Sequence, residues 1–332
     1  MSRGAVGDWD PVRTYQAVND MLTPVLEYAR RDGAKGPAPW QRRSGMRIDL
    51  HCHSTFSRER LRWVPRLDCR PTQEPEVVYD LAKSRGMDFV TLTDHDTIDG
   101  CKALIDRRGE LPDFIFGEEV TVRFPEDGTI VHVNVYDIDE EQHREIQRLR
   151  GNIYDVTDYL RRIGKLHVLN HMTWTAQHRV LTPWQIEAML EHFPAFEGIN
   201  GARSYAHNTF AWHATRGHGK VLVGGSDSHT DRVGTTYTLS SGTTRGELLA
   251  NILAGVAAPA GAFGTPEKLR EDVWVVLQKN VERRVAEATR WWERFACHAV
   301  GRLCKAAYPL ACRGYHKRQN SIIRGFARAL PA

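Results

Sequence analysis

Long apolar runs are missing from this sequence. The opening MSRGAVGDWD lacks the apolar core that a secretory signal needs. The longest weakly apolar stretches, residues 255–264 and 306–311, fall far short of a bilayer's thickness. Neither export nor a transmembrane segment is expected. Cysteine is also sparse: Cys52, Cys69, Cys101, Cys297, Cys304 and Cys312 are widely spread, with no CxxC pair and no crowding of the kind that staples small secreted domains. A reduced, cytoplasmic chain is the expectation. The near-helical spacing of Cys297, Cys304 and Cys312 fits small buried side chains better than a thiolate cluster. Internal repeats and low-complexity tracts are absent too. What remains is 332 residues with 41% apolar and 26% charged side chains, ordinary globular usage with room for a sizeable core.

Acidic residues are scarce at one end only. The chain carries 45 Lys/Arg against 41 Asp/Glu, a net charge of +4. From Lys279 onward there are 12 Lys/Arg and 3 Asp/Glu, so subtracting this tail's +9 from the total leaves −5 for residues 1–278. A mildly acidic body with a basic tail does not mark the whole chain as a nucleic-acid binder.

Residues 10–32 place Val12, Tyr15, Val18, Leu22, Val25 and Leu26 near one face and predict an amphipathic helix. A Gly/Pro-rich connector follows, and the central domain is expected to begin near Gly45. From there, strand patterns over residues 46–50, 89–93, 166–169, 196–199 and 221–223 alternate with helical ones over 75–85, 99–107, 140–162, 183–192, 205–216 and 245–254. Residues 114–124 and 129–136 face each other as a hairpin across Glu126-Asp127-Gly128. The alternation predicts an α/β fold with a mainly parallel sheet, either a closed barrel or an open, doubly wound form. It stops near Pro266. Three parts are expected: an N-terminal helix and linker (1–45), the α/β body (46–265) and a basic helical extension (266–332).

The chemistry lies where the apolar runs end. Ile48-Asp49-Leu50-His51-Cys52-His53 sets two imidazoles two residues apart, and positions i and i+2 of a strand share a side. The next run ends in Asp94-His95-Asp96, and the hairpin carries Glu118-Glu119 and His132. Later runs end in Asn170-His171 and in Asp227-Ser228-His229. Six successive strand ends bearing such groups are poorly explained as ordinary loop residues. Imidazoles with a few carboxylates suit Zn²⁺, Mn²⁺ or Fe²⁺ better than an all-oxygen Ca²⁺ or Mg²⁺ cage. Eight candidates (His51, His53, His95, Glu119, His132, His171, Asp227 and His229) exceed one tetrahedral centre, so two or three divalent metal ions are expected. Such a cluster suits phosphoryl transfer: it clamps phosphate oxygens, lowers the pKa of a bridging water and neutralises the leaving oxygen.

The motifs I-D-L-H-C-H-S, T-L-T-D-H-D-T, G-E-E-V-T, V-H-V, N-H and G-G-S-D-S-H occur in the order of the PHP (polymerase and histidinol phosphatase) superfamily, which residues 46–256 therefore resemble. The resemblance implies a distorted (β/α)7 barrel with a di- or trinuclear Mn, Zn or Fe cluster at its C-terminal strand ends, hydrolysing phosphoesters. It implies that the same eight residues hold the metals, with Glu119 rather than Glu118 as the bridging carboxylate and Glu118 pointing away. It also implies that Asp49 and Asp94 are carboxylates orienting imidazoles, Asp94 counting with Arg203 among the catalytic residues. His167 is expected at the far end or face of its strand. Two departures stand out. No carboxylate follows Ser57 where many family members have one, so either Glu59 or Asp68 folds back to complete a third metal position or that position is weak or absent and two metals are held firmly, and Met172 stands where relatives often have Pro.

Arg203 follows a strand end and is placed to hold a phosphate bidentately. Arg58, Arg60 and Asn208 are weaker candidates. The expected activity is metal-dependent hydrolysis of a small phosphorylated metabolite or nucleotide, through attack by a metal-bridging hydroxide. An exonuclease or oligonucleotide phosphodiesterase is the alternative, and a non-catalytic anion-binding barrel is another. A metal-dependent amidohydrolase also begins with HxH, but no strand-end lysine suited to carbamylation is present. The basic tail, with Trp291, Trp292, Phe295, Tyr308, Tyr315 and Phe326 among its cations, suits contact with the barrel, a nucleic acid or an anionic membrane surface.

Overall fold

The computed structural model describes residues 45–57, 70–215 and 217–329; the expected helix at 10–32 and the segment bearing Arg58, Glu59, Arg60 and Asp68 lie outside them. Nine strands are described: β1 (Met46–Ile48), β2 (Val90–Leu92), β3 (Phe114–Arg123), β4 (Ile130–Tyr136), β5 (His167–Leu169), β6 (Ala195–Asn200), β7 (Val221–Gly225), β8 (Thr236–Ser240) and β9 (Ala257–Gly261). The helices are α1 (Pro75–Ser84), α2 (Asp99–Arg108), α3 (Glu140–Leu149), α4 (Ile153–Arg162), α5 (Pro183–His192), α6 (Tyr205–Thr215), α7 (Arg245–Leu253), α8 (Pro266–Glu287) and α9 (Trp291–Ala329).

Six strands form a curled sheet in the order β2-β3-β4-β5-β6-β7, and β1-β8-β9 form a second. The fold is α/β and barrel-like, and its six-stranded sheet is parallel at three of its five strand pairs and antiparallel at the other two. The hairpin explains this: β4 returns antiparallel to β3, so β5, running in the common direction again, also meets β4 antiparallel. The pairs β2-β3, β5-β6 and β6-β7 are parallel. At the other side the chain beyond β1 runs beside the end of β7, with Asp227 N donating to His51 O (2.7 Å) and His53 N to Ser228 O (3.0 Å). This seam brings the His51-Cys52-His53 and Asp227-Ser228-His229 motifs together.

Two further departures from the sequence expectation have identifiable causes. The single helix expected over 140–162 is two, because the chain breaks at Gly151 and Asn152 caps α4 by accepting from Tyr154 N. The strands β8 and β9 were not expected. Ala257-Ala-Pro-Ala-Gly261 has poor strand propensity and owes its conformation to pairing with β8, at a sheet edge where Pro259 is tolerated.

The main core runs from the hairpin (Val120, Val122, Val131, Val133) through α4 and α5 (Val156, Leu160, Ile186, Met189) to Phe210 of α6. It also includes Ile322, Ile323 and Phe326 from the end of α9. The basic extension thus joins the barrel's own core. Helix α9 reaches it by close approach, since a Cβ on Gly325 would come within 2.6 Å of Val180 Cγ2.

Candidate metal centre

Local backbone geometry explains why the strand ends converge. His51 and His53 are both 0% exposed, and a Cβ on Gly225 would run into His51, so only glycine lets β7 approach this closely. His171 and Asp227 sit at φ of 27° and 51°, a left-handed conformation that side-chain-bearing residues seldom adopt. Both lie where their strands end, and the turn aims their side chains at the same centre.

Glu119 stands at the hub. Its Oε2 lies 3.2 Å from His51 Nε2, 3.3 Å from His53 Nε2 and 3.2 Å from His95 Nε2. Its Oε1 lies 3.1 Å from His132 Nδ1 and 3.2 Å from His171 Nε2. Asp227 Oδ1 is 3.5 Å from both His51 Nε2 and His53 Nε2. His229 closes the ring system, 4.4 Å from the His53 ring. All eight candidates therefore meet in one place. They divide into overlapping groups with ligand atoms within 4.8 Å of one another: His51, Glu119 and His171; His51, His53 and Asp227; His95, Glu119 and His132; and His53, His95 and His229. The last group contains no carboxylate of its own, although Glu119 Oε2 lies 3.3 Å from His53 and 3.2 Å from His95.

The donors fit metal ions. His51 Nε2, His53 Nε2, Glu119 Oε2 and His132 Nδ1 are buried and make no hydrogen bond despite their proximity. Leaving several such atoms unsatisfied is costly unless something else binds them. Burial takes His53 down to about 3 and lowers His171 as well, whereas at His51 the carboxylates Glu119, Glu197 and Asp227 outweigh burial and hold the ring well above its ordinary value. An anion-rich pocket that favours a cation on His51 equally favours a divalent ion beside it.

Glu197, in the middle of β6, was not expected here. Its Oε1 is 2.7 Å from His51 Nδ1 and its Oε2 accepts from His171 N at 2.7 Å, so one carboxylate orients the imidazole of the first motif and fixes the backbone of a later one. Asn200 donates to Glu197 Oε2 (2.9 Å) and to Asp227 Oδ2 (3.2 Å), and Asn170 donates to Glu119 Oε1 (2.8 Å). The only trace in the sequence is a lone acid inside the apolar run Ala195-Phe-Glu-Gly-Ile-Asn200. Glu197→Gln is expected to weaken metal affinity by roughly 10–100-fold while the protein stays folded; a metal titration followed by competition with a chelator checks this, and an unchanged affinity would remove Glu197 from the site.

Asp49 and Asp94 were expected to orient imidazoles, and here the geometry differs. Asp49 accepts from the backbone N–H groups of His51 (3.1 Å), Ser226 (2.8 Å) and Gly234 (2.7 Å). Asp94 accepts from Ser54 N and Ser54 Oγ, both at 2.6 Å. Each clamps the backbone of the first motif rather than a ring. Burial raises both carboxyls to about 6, against the pull of these hydrogen bonds.

Glu118 points to the other face of β3, where its Oε2 meets His143 Nδ1 and Gln147 Nε2, both at 2.9 Å. His167 lies away from the cluster, its Nδ1 2.9 Å from Lys165 O. Asn208 uses both ends of its amide on the backbone of Asn200 and Arg203, which leaves it a structural part. Arg203 does reach the centre: its Nη2 is 3.9 Å from Asp227 Oδ2 and its guanidinium lies 5.7 Å from the centroid of the Trp174 ring. It is held there by Tyr315 of α9, whose hydroxyl accepts from Nη1 at 2.8 Å. Nothing in the sequence links residues this far apart. Arg203, His207, Tyr315, His316 and Gln319 are among the residues that line a small cavity of about 30 Å³, which none of the eight converging residues borders.

No protein-family model matches the chain, and no curated protein matches it. Among solved structures it is similar to a two-domain protein from Bacteroides vulgatus containing a predicted PHP-like metal-dependent phosphoesterase, at 18% identity and a TM-score of 0.48 over 69% of each chain. It is similar to PsfC from Pseudomonas syringae at 18% identity and a TM-score of 0.46, covering 72% of this chain and 98% of that one. An amidohydrolase from Chromobacterium violaceum, whose structure has bound sulfate and no metal, gives 19% identity and a TM-score of 0.40 over 68% and 96%.

Proposed function

We propose that the protein is a metal-dependent phosphoesterase of PHP type that hydrolyses a small phosphorylated metabolite or nucleotide. The observation that carries this reading is the division of five histidines between the two oxygens of one buried carboxylate, Glu119. Glu119 and these histidines would together hold more than one divalent cation. The eight converging residues would hold Mn, Zn or Fe ions. Bound there, such ions lower the pKa of water and neutralise charge on phosphate oxygens.

The chain's own groups have definable tasks in this reaction. Glu197 keeps His51 in one tautomer and ring orientation, and Asn170 and Asn200 fix the two carboxylates that face the histidines. Asp49 and Asp94 hold the His51-Cys52-His53 backbone in register with its neighbours. Arg203 offers a guanidinium to a phosphate oxygen at the edge of the cluster, in a geometry fixed by Tyr315 and suited to charge that grows during in-line displacement. Helix α9 bounds the Arg203 side of the centre through Tyr315.

The test is a panel of phosphomonoesters, labelled oligonucleotides and amides, assayed with Mn²⁺, Zn²⁺ or Fe²⁺ alongside elemental analysis of the purified protein. Phosphate release from monoesters that is lost on chelation and restored by metal is the expected result. Shortening of oligonucleotides without release of phosphate from mononucleotides would replace the proposal by a phosphodiesterase. Absence of stoichiometric metal would leave a non-catalytic barrel.

A further inference from the structure

The tail's aromatic residues separate into two sets. Tyr308, Tyr315 and Phe326 turn inward, to Trp274, Arg203 and Phe210 respectively. Trp291 (80% exposed), Trp292 and Phe295 (70%) turn outward, together with Leu303 (69%) and Leu310 (68%). Spacings of three, eight and seven from Trp292 through Phe295 and Leu303 to Leu310 keep these side chains on one face of α9, with Ala299 and Ala306 between them. Six of the eleven exposed large apolar residues of the described structure, with Val300 the sixth, fall on this one helix. Exposed apolar residues gathered in a stripe mark a contact surface.

Charge identifies the partner. Residues 290–318 hold seven cations (Arg290, Arg294, Arg302, Lys305, Arg313, Lys317 and Arg318) against one acid, Glu293. Two copies of this face would bring like charges together. A nucleic acid would satisfy the cations, but Leu303 and Leu310 offer no stacking surface for bases. We infer that α9 docks the protein on an anionic phospholipid surface, with the Trp292, Phe295, Leu303 and Leu310 stripe at the headgroup–acyl boundary and Arg313, Lys317 and Arg318, which flank that stripe, on lipid phosphates. The helix lies on the membrane rather than through it, for no described helix is long and apolar enough to cross one.

The test uses the full chain with vesicles of phosphatidylcholine alone and of phosphatidylcholine mixed with phosphatidylglycerol. Co-sedimentation is expected with the mixed vesicles, at least about 100-fold stronger than with the neutral ones, since each basic side chain near an anionic surface adds roughly five-fold. A combined Phe295→Ser, Leu303→Ser, Leu310→Ser variant should lose about 100-fold or more in binding, because its stripe no longer enters the interface. Its melting temperature should be unchanged, as these side chains are exposed. Equal binding of the variant, or binding indifferent to phosphatidylglycerol, overturns the inference. A self-association or an oligonucleotide mobility shift that the same three changes abolish also overturns it, and assigns the face to a second copy or to nucleic acid.

Discussion

Glu119→Gln should purify as a folded protein with little metal and with phosphoester hydrolysis reduced by more than about 100-fold. Partners that only orient a metal ligand cost roughly 10–100-fold in affinity or activity when changed, and Glu119 meets the nitrogens proposed to hold the metals directly. The amide is isosteric, so the core around β3 is undisturbed. What changes is the donor set: glutamine keeps one acceptor oxygen and gains an NH₂ that cannot bind a cation, so one of the two groups of histidines faces an unsuitable atom. Both sets lie close, His51, His53 and His95 at 3.2–3.3 Å from one oxygen and His132 and His171 at 3.1 and 3.2 Å from the other. His51 keeps Glu197 and Asp227 as anionic neighbours, which limits the damage to the fold. Elemental analysis after dialysis, circular dichroism and a phosphate-release assay together read the result. A variant with full metal content and full activity would show that Glu119 is merely an acceptor within a buried polar cluster.

The convergence of the eight residues could be anticipated because each is attached to a strong local signal. An apolar run predicts a strand, period two fixes the side on which His51 and His53 emerge, and the end of the run fixes the end of the barrel. Glu197 carried no such signal, because an isolated acid inside an apolar strand looks the same whether it meets a histidine or a backbone amide. Asp49 and Asp94 show the converse. Their nearness to His51 and His95 in sequence suggests a contact with the rings, yet carboxylates one or two residues away along a strand find the backbone of the adjoining segment first. The mixed sheet and β9 depended on pairing partners distant in sequence, information that no local pattern contains. The same is true of Tyr315 and Arg203, whose contact is settled by how α9 crosses the barrel.

Phe326→Ala should destabilise the whole barrel by about 3–5 kcal/mol, the cost of emptying a well-packed aromatic site. Phe326 is fully buried, its ring meets that of Phe210 at 4.9 Å and 61°, and Ile322 and Ile323 lie beside it in the cluster that also holds Val133 and Leu160. Against a typical total of about 5–15 kcal/mol, such a loss is a large share of the fold's stability. Because this core is continuous with the hairpin and with α4 to α6, denaturation followed by tryptophan fluorescence and by far-ultraviolet circular dichroism should move together to lower denaturant. Phe326→Leu, which keeps much of the volume, should cost less than Ala. If α9 were an appendage, Phe326→Ala would loosen the helix alone and leave the main transition in place. A second consequence follows through Tyr315, three turns earlier on the same helix. Under conditions where Phe326→Ala is still folded, a loosened α9 releases the hydroxyl that holds Arg203 at the edge of the metal centre. The KM for a phosphoester should then rise while metal content stays at the level of the unaltered protein, a split that loss of fold by itself would not produce.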